Sequence, residues 1–175
     1  NLLYDLLCLV LPWDQVDESI CAKPLEWSGK TLGRFMRFFG PISSVFDIIT
    51  FAYLFFILCP AVCGGTFASL SGSGEQARFI ILFQTGWFLE SMWTQVLILH
   101  LLRTQKVPLL QSRPSRPVMV VTLLGTAVFT LLTFTPMGEW IGLTALPPVY
   151  FVFLAVTVFF YLLWVTLAKR WYIRR

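Results

Sequence analysis

Three carboxylates interrupt the apolar stretches of this 175-residue chain, and each marks a place where chemistry is expected. Asn1 and Asp5 open it, in Asn-Leu-Leu-Tyr-Asp, four residues apart and therefore one above the other on a helix. An ionised Asp near a bilayer centre costs roughly 3 kcal/mol on insertion scales, and each Leu returns about 0.5, so the six leucines from Leu2 to Leu11 only about cancel it. Stability does not account for the residue. An amide and a carboxylate on one helix face offer the oxygens that a hard cation takes.

Asp5 precedes Pro12 by seven residues, about 10 Å of helix, which leaves it inside a hydrocarbon core about 30 Å thick. Glu90 lies near the middle of the apolar stretch 77–102. At 100° per residue Gln84, Trp87, Glu90, Ser91, Thr94 and Gln95 fall within an arc of roughly 140°, a polar stripe that must face protein or a water-filled path. Asp47 is six residues past Pro41, about 9 Å along a helix axis, near enough to reach an interface and to bond Ser43 or Ser44. The competing reading for all three is a carboxylate hydrogen-bonded to a neighbouring helix for packing alone.

The remaining residues exclude other chemistries. Cys59 and Cys63 bracket a helix end as Cys-Pro-Ala-Val-Cys and read as two free thiols, with a disulfide the alternative in an oxidising compartment. No second Cys or His pair completes a four-ligand zinc or copper site, and with His100 the only histidine there is no multi-His iron centre. His100 itself reads as an interface residue. No Gly-Lys-Ser/Thr phosphate loop and no serine nucleophile elbow occurs. Ser69 to Gly74 reads as a flexible outer loop.

The elements that carry these residues follow from composition. The chain is 57% hydrophobic and 13% charged, against roughly 25% charged in soluble domains, and its length holds only a handful of spans. The expected fold is an all-α polytopic transmembrane bundle, one membrane domain over 1–175 with helices at about 1–11, 42–59, 77–102, 117–135 and 149–168. Loop 12–41 is long and charged; its end, about 32–39, alternates Arg34 and Arg37 with Phe and Met and reads as an interfacial helix, broken from the next span at Gly40-Pro41. The net charge of +4 does not indicate nucleic acid, because the basic residues flank apolar spans. Loops 12–41 and 103–116 and the tail hold four Lys or Arg each, twelve of the thirteen, whereas 60–76 and 136–148 hold none. Alternation of that kind places those loops and the C-terminus in the cytoplasm. The absence of an initiator Met and of a secretory signal leads us to expect a first helix entered partway along a longer polypeptide.

Several runs together resemble the C-terminal membrane portion of cation-transporting P-type ATPases, from within the sixth membrane helix to the tenth. NLLYD is similar to that family's Asn-Leu-x-x-Asp motif, and Pro12 to Asp17 to the acidic loop that follows it. Gly40 to Phe51 (GPISSVFDIITF), Phe83 to Glu90 (FQTGWFLE), Leu101 to Arg113 (LLRTQKVPLLQSR) and the basic Lys169 to Arg175 bring the likeness closest to the bacterial magnesium-importing members. The resemblance implies that Asn1 and Asp5 contact the transported ion, with Tyr4 where calcium pumps have Thr, and that Glu90 holds the eighth-helix ion-binding position; Asp47 is a further candidate. It implies that Asp14, Asp17 and Glu18 form a coupling loop toward the phosphorylation domain. Mg2+ is then the transported ion, and also the partner of ATP in domains that lie upstream with the DKTGT aspartate and the first five helices. The implied partners are the lipid bilayer and those upstream helices and domains, and the implied location is the bacterial inner membrane. Calcium or another cation, a stand-alone channel or carrier, and a purely structural membrane module are the alternatives.

Overall fold

The computed structural model describes residues 2–15, 29–102 and 114–173, and among these the chain is helical with no strand. Helix α1 is Leu2–Val10, followed by a single 3-10 turn, Leu11–Trp13, with Pro12 in its first positions and the Asp14 N–H closing onto the Leu11 carbonyl at 2.8 Å. Helix α2, Gly29–Tyr53, continues through a π turn at Leu54–Leu58 into α3, Cys59–Cys63. Helix α4 is Ser73–Leu102, α5 Arg116–Leu132, α6 the short Pro136–Trp140, and α7 Pro148–Ile173. All five expected helices are found.

The expected break at Gly40-Pro41 is absent. Helix α2 runs through Pro41, so the amphipathic segment 32–39 and the following span are one helix. Proline withholds one backbone hydrogen bond there, but tertiary packing holds both sides of it: Phe38 stacks on Trp171 with centroids 5.2 Å apart, and Phe46 meets Tyr161 edge-on at 5.4 Å. Both partners lie on α7, which splints α2 across the proline. At the other end Gly64 adopts φ 79° and returns its N–H to the Pro60 carbonyl at 3.0 Å, a left-handed cap that a residue with a Cβ resists. Cys59 and Cys63 stand one turn apart on α3, both as thiols.

Helix α4 is central, touching α1, α2, α5 and α7. Its neighbours bury Leu82, Leu89 and Val96 with Leu7 of α1, Leu54 of the π turn and Leu154 of α7 in one cluster. The opposite surfaces are apolar too. Ile48 is 66% exposed, Phe56 69%, Val152 66% and Phe159 63%, a surface that water would not tolerate and lipid requires. Met36–Cys63 and Pro148–Trp171 are each long and apolar enough to cross a membrane, with only 28% and 22% buried. Helix α5 is a shorter apolar helix of 17 residues, about 25 Å long. Polar groups at Gln84, Glu90, Gln95 and His100 make α4 less apolar than these two, and its central place shields most of them.

Candidate functional site

Helices α2 and α4 run antiparallel, and their aromatic contacts give the register. Phe51 meets Phe83 and Trp87, while Phe55, one turn later, meets Phe79 and Phe83, one turn earlier. The closest approach is at Gly86: a Cβ built there falls 2.6 Å from Leu54 Cδ2, 3.1 Å from Leu54 Cδ1 and 3.3 Å from Tyr150 Cε2. Leu54 opens the π turn, whose wide hydrogen bond runs from the Cys59 N–H to the Leu54 carbonyl. Gly86→Ala is therefore expected to cost about 1–3 kcal/mol through overpacking. Pairing it with Leu54→Ala is expected to give a melting temperature, followed in detergent, above that of the summed single losses.

One turn from that contact on each helix, the register sets Thr50 level with Glu90. Both are 0% exposed, and neither Thr50 Oγ1 nor either Glu90 carboxylate oxygen has a hydrogen-bond partner among the described residues. Asp47 is half-buried and lies one turn along α2 from Thr50, on the same face of that helix. Helix α7 closes the third side. Its Tyr150 hydroxyl donates to the Gly86 carbonyl, the group one turn before Glu90, and Tyr161 lies beside Ser43. The polar stripe expected on α4 is protein-facing along one edge only: Glu90 and Thr94 are buried, Ser91, Gln95 and Trp87 half-buried, and Gln84 exposed.

The other sequence candidates are dispersed. Asp5 is exposed on α1 while Leu7, roughly 200° around the helix, is completely buried. Asp47 and Glu90 thus lie on two helices that touch, α2 and α4, and Asp5 is exposed on α1. Tyr4 lies on the α1 backbone; Asn1, Asp17 and Glu18 fall outside the described residues. Among the described residues no three His, Cys, Asp or Glu side chains gather as a metal site. Asp14 has a clear structural use. Its Oδ1 accepts the backbone N–H of Ser115, the N-cap of α5, at 2.7 Å across 101 residues of sequence. A carboxylate at a helix N-terminus is electrostatically favoured, and here it does from the end of the 3-10 turn what a capping-box glutamate does locally. His100 joins α4 to α5 as well, Nε2 lying 2.8 Å from Thr122 Oγ1, and the Trp93 indole reaches Thr130 at 3.3 Å.

Thr50, Gly86, Tyr150 and Tyr161 were not singled out from the sequence. Thr50 follows Asp47 by three residues and Gly86 precedes Glu90 by four, so helical spacing carried a signal for two of them. The tyrosines lie sixty or more residues away and carried none.

Mostly exposed apolar helices wrapped around an enclosed carboxylate define an integral membrane helix bundle. The family described as cation transporting ATPase, C-terminus, matches residues 1–171, and the chain belongs to that family. It is 41% identical over all 175 residues to a magnesium-transporting ATPase, P-type 1, of Salmonella typhimurium strain LT2, and 38% identical over the same span to the protein of that name from Escherichia coli K12. In each case the chain is covered completely and spans 18% of the relative's length.

Proposed function

We propose that this chain is the C-terminal membrane domain of an ATP-driven magnesium transporter of the P-type class. It supplies Asp5 and Asn1 to the ion path and helices α2 to α7 as its scaffold. ATP hydrolysis belongs to other parts of the polypeptide, and the bacterial inner membrane, with the basic stretches 12–41 and 103–116 toward the cytoplasmic side, is its place.

The observation that carries the reading is Asp5. It is the one acidic side chain of α1, and it stands exposed on a helix whose other face is locked into the core through Leu7. A carboxylate at membrane depth is not presented to lipid; it faces protein, water or an ion. Magnesium keeps much of its water and takes one or two carboxylates, which suits an acidic group placed singly. End-to-end likeness to proteins named as magnesium transporters supports the choice of ion.

The test is cation dependence of the complete polypeptide in lipid vesicles. ATP hydrolysis and uptake are expected to be stimulated by magnesium as the translocated ion. Calcium or potassium moved in place of magnesium would overturn the assignment of the ion, and cation flux without ATP would overturn the assignment of the class.

A further inference from the structure

Helices α2 and α7 run antiparallel, since Phe38 stacks on Trp171 while Phe46, two turns later on α2, meets Tyr161, nearly three turns earlier on α7. Beside that seam lies a groove of about 370 Å³, lined by Phe38, Ile42, Trp164, Leu167, Ala168 and Trp171. The four α7 residues follow the i, i+3, i+4, i+7 spacing of one helix face, and Phe38 and Ile42 stand one turn apart on α2. Every lining side chain is apolar or aromatic, and Trp164 is 59% exposed, Leu167 51% and Trp171 47%, so the groove opens outward and not into the bundle. It runs about 10 Å from Trp171 to Trp164, a third of a hydrocarbon core about 30 Å thick. Past Ile42 the contact of Phe46 with Tyr161 closes the two helices on each other. A membrane-spanning helix of another protein needs a longer face than this. One end of an acyl chain does not.

The groove reaches an end of the bundle where the charge is of one sign. Arg34 and Arg37 on α2 and Arg170 on α7 are exposed there, beside Lys169, and residues 29–46 and 148–173 contain no Asp or Glu to balance them. An arginine stands at each lip. Arg34 is one turn before Phe38 and about 40° round α2 from it, and Arg170 is three residues past Leu167, about 60° round α7. Arg37 turns the other way, about 100° from Phe38 and 140° from Ile42, and its Nε donates to the Gly33 carbonyl at 3.3 Å. We propose that this groove binds a phospholipid with an anionic headgroup, an acyl chain lying along Ile42, Trp164 and Leu167 and the phosphate held at the helix ends by Arg34 and Arg170. Guanidinium suits that role because its forked N–H groups meet phosphate oxygens in pairs. Trp171 stands at the same level, where tryptophan favours the boundary between hydrocarbon and headgroups. A zwitterionic lipid fills the apolar part equally well but brings no net charge to the arginines. The bound lipid lies against the α7 splint that carries α2 through Pro41, and so braces α2 where a backbone hydrogen bond is missing. The groove uses neither Asp5 nor Glu90, so its failure leaves the ion path untouched.

Native mass spectrometry of the complete polypeptide, released from nanodiscs of dioleoylphosphatidylglycerol and dioleoylphosphatidylcholine in equal amounts, counts the lipids that stay bound. Phosphatidylglycerol is expected to be retained in preference to phosphatidylcholine. Arg34→Gln and Arg170→Gln are each expected to lower that preference by about fivefold, and Arg37→Gln to leave it unchanged. Ala168→Trp, which fills the groove, is expected to remove one retained phosphatidylglycerol. The arginine variants change exposed side chains only and keep the test readable should Ala168→Trp assemble poorly. In detergent, added phosphatidylglycerol is expected to raise the melting temperature of the wild type and of Arg37→Gln, but not of Arg34→Gln combined with Arg170→Gln. Equal retention of the two lipids by the wild type overturns the proposal, as does a preference that survives the combined variant. Equal losses in Arg34→Gln and Arg37→Gln would reveal general attraction to a charged surface and overturn it as well. A second copy or another membrane protein displaced by Ala168→Trp, with phosphatidylglycerol retained, would assign the groove to a protein and overturn it.

Discussion

Asp5→Ala in the complete polypeptide is expected to lower magnesium uptake and magnesium-stimulated ATP hydrolysis at limiting magnesium by at least about thirtyfold. The size is that of removing a charged ligand from a bound ion that the complete polypeptide encloses, about 2–5 kcal/mol, at about 1.4 kcal/mol per factor of ten. Asp5→Asn keeps the volume and one oxygen but not the charge, and is expected to recover little of the loss. Ile48→Ala, on the 66% exposed lipid face of α2, is expected to change neither quantity. The measurement is uptake into vesicles at graded magnesium beside ATP turnover. Wild-type dependence in Asp5→Ala would remove that residue from the ion path while leaving the family assignment untouched.

Gly138→Ala carries the largest expected loss of stability. A Cβ at Gly138 would stand 2.1 Å from the Leu132 carbonyl oxygen and 3.0 Å from its carbon, both backbone atoms that no rotamer change can move aside. Gly138 also gathers the turn between α5 and α7. Its N–H lies 2.9 Å from the Thr135 carbonyl and 3.3 Å from the Thr135 hydroxyl, and its own carbonyl accepts from Ile141 at 3.1 Å and Leu143 at 2.9 Å. Relieving the clash means shifting that whole network, so the cost is expected at about 3 kcal/mol or more. In a chain of this size that lowers the melting temperature by about 6 °C or more. Gly74→Ala is the control: nothing lies within 4 Å of its Cβ, it sits in the first turn of α4, and alanine is the better helix former. Thermal unfolding in detergent checks both. A Gly138→Ala protein that melts with the wild type would show that this turn yields more readily than its contacts indicate.

Much of this was written in the chain. Runs of Leu, Val, Ile and Phe of span length can only be helices in lipid, because every backbone N–H there must find a carbonyl within its own segment. Pro12, Gly64 and Pro148 mark ends for the same local reason, and loop charge orders the two sides. Asp5, Asp47 and Glu90 drew attention because an ionisable group in an apolar run is costly wherever it points. Pro41 shows the limit of such reading. Its local preference is to end a helix, and it lost to Phe38, Phe39 and Phe46 packing on α7 more than a hundred residues away.

Which carboxylates share a site was also out of reach of the sequence. Helical spacing puts Asn1 with Asp5 and Thr50 with Asp47, since neighbours at three or four residues are fixed by the helix itself. The burial of Glu90 against α2 and α7, the entry of Leu54 opposite Gly86, and the use of Asp14 to cap α5 across 101 residues depend on the rotation and register of one helix against another. A helix of uniform hydrophobicity does not encode its own rotation: residues facing lipid and residues facing protein are equally apolar, so the hydropathy pattern carries no inward direction. The sequence by itself determined the helices, their order and the costly charges. The tertiary structure decided their facing, through contacts as small as a missing Cβ at Gly86.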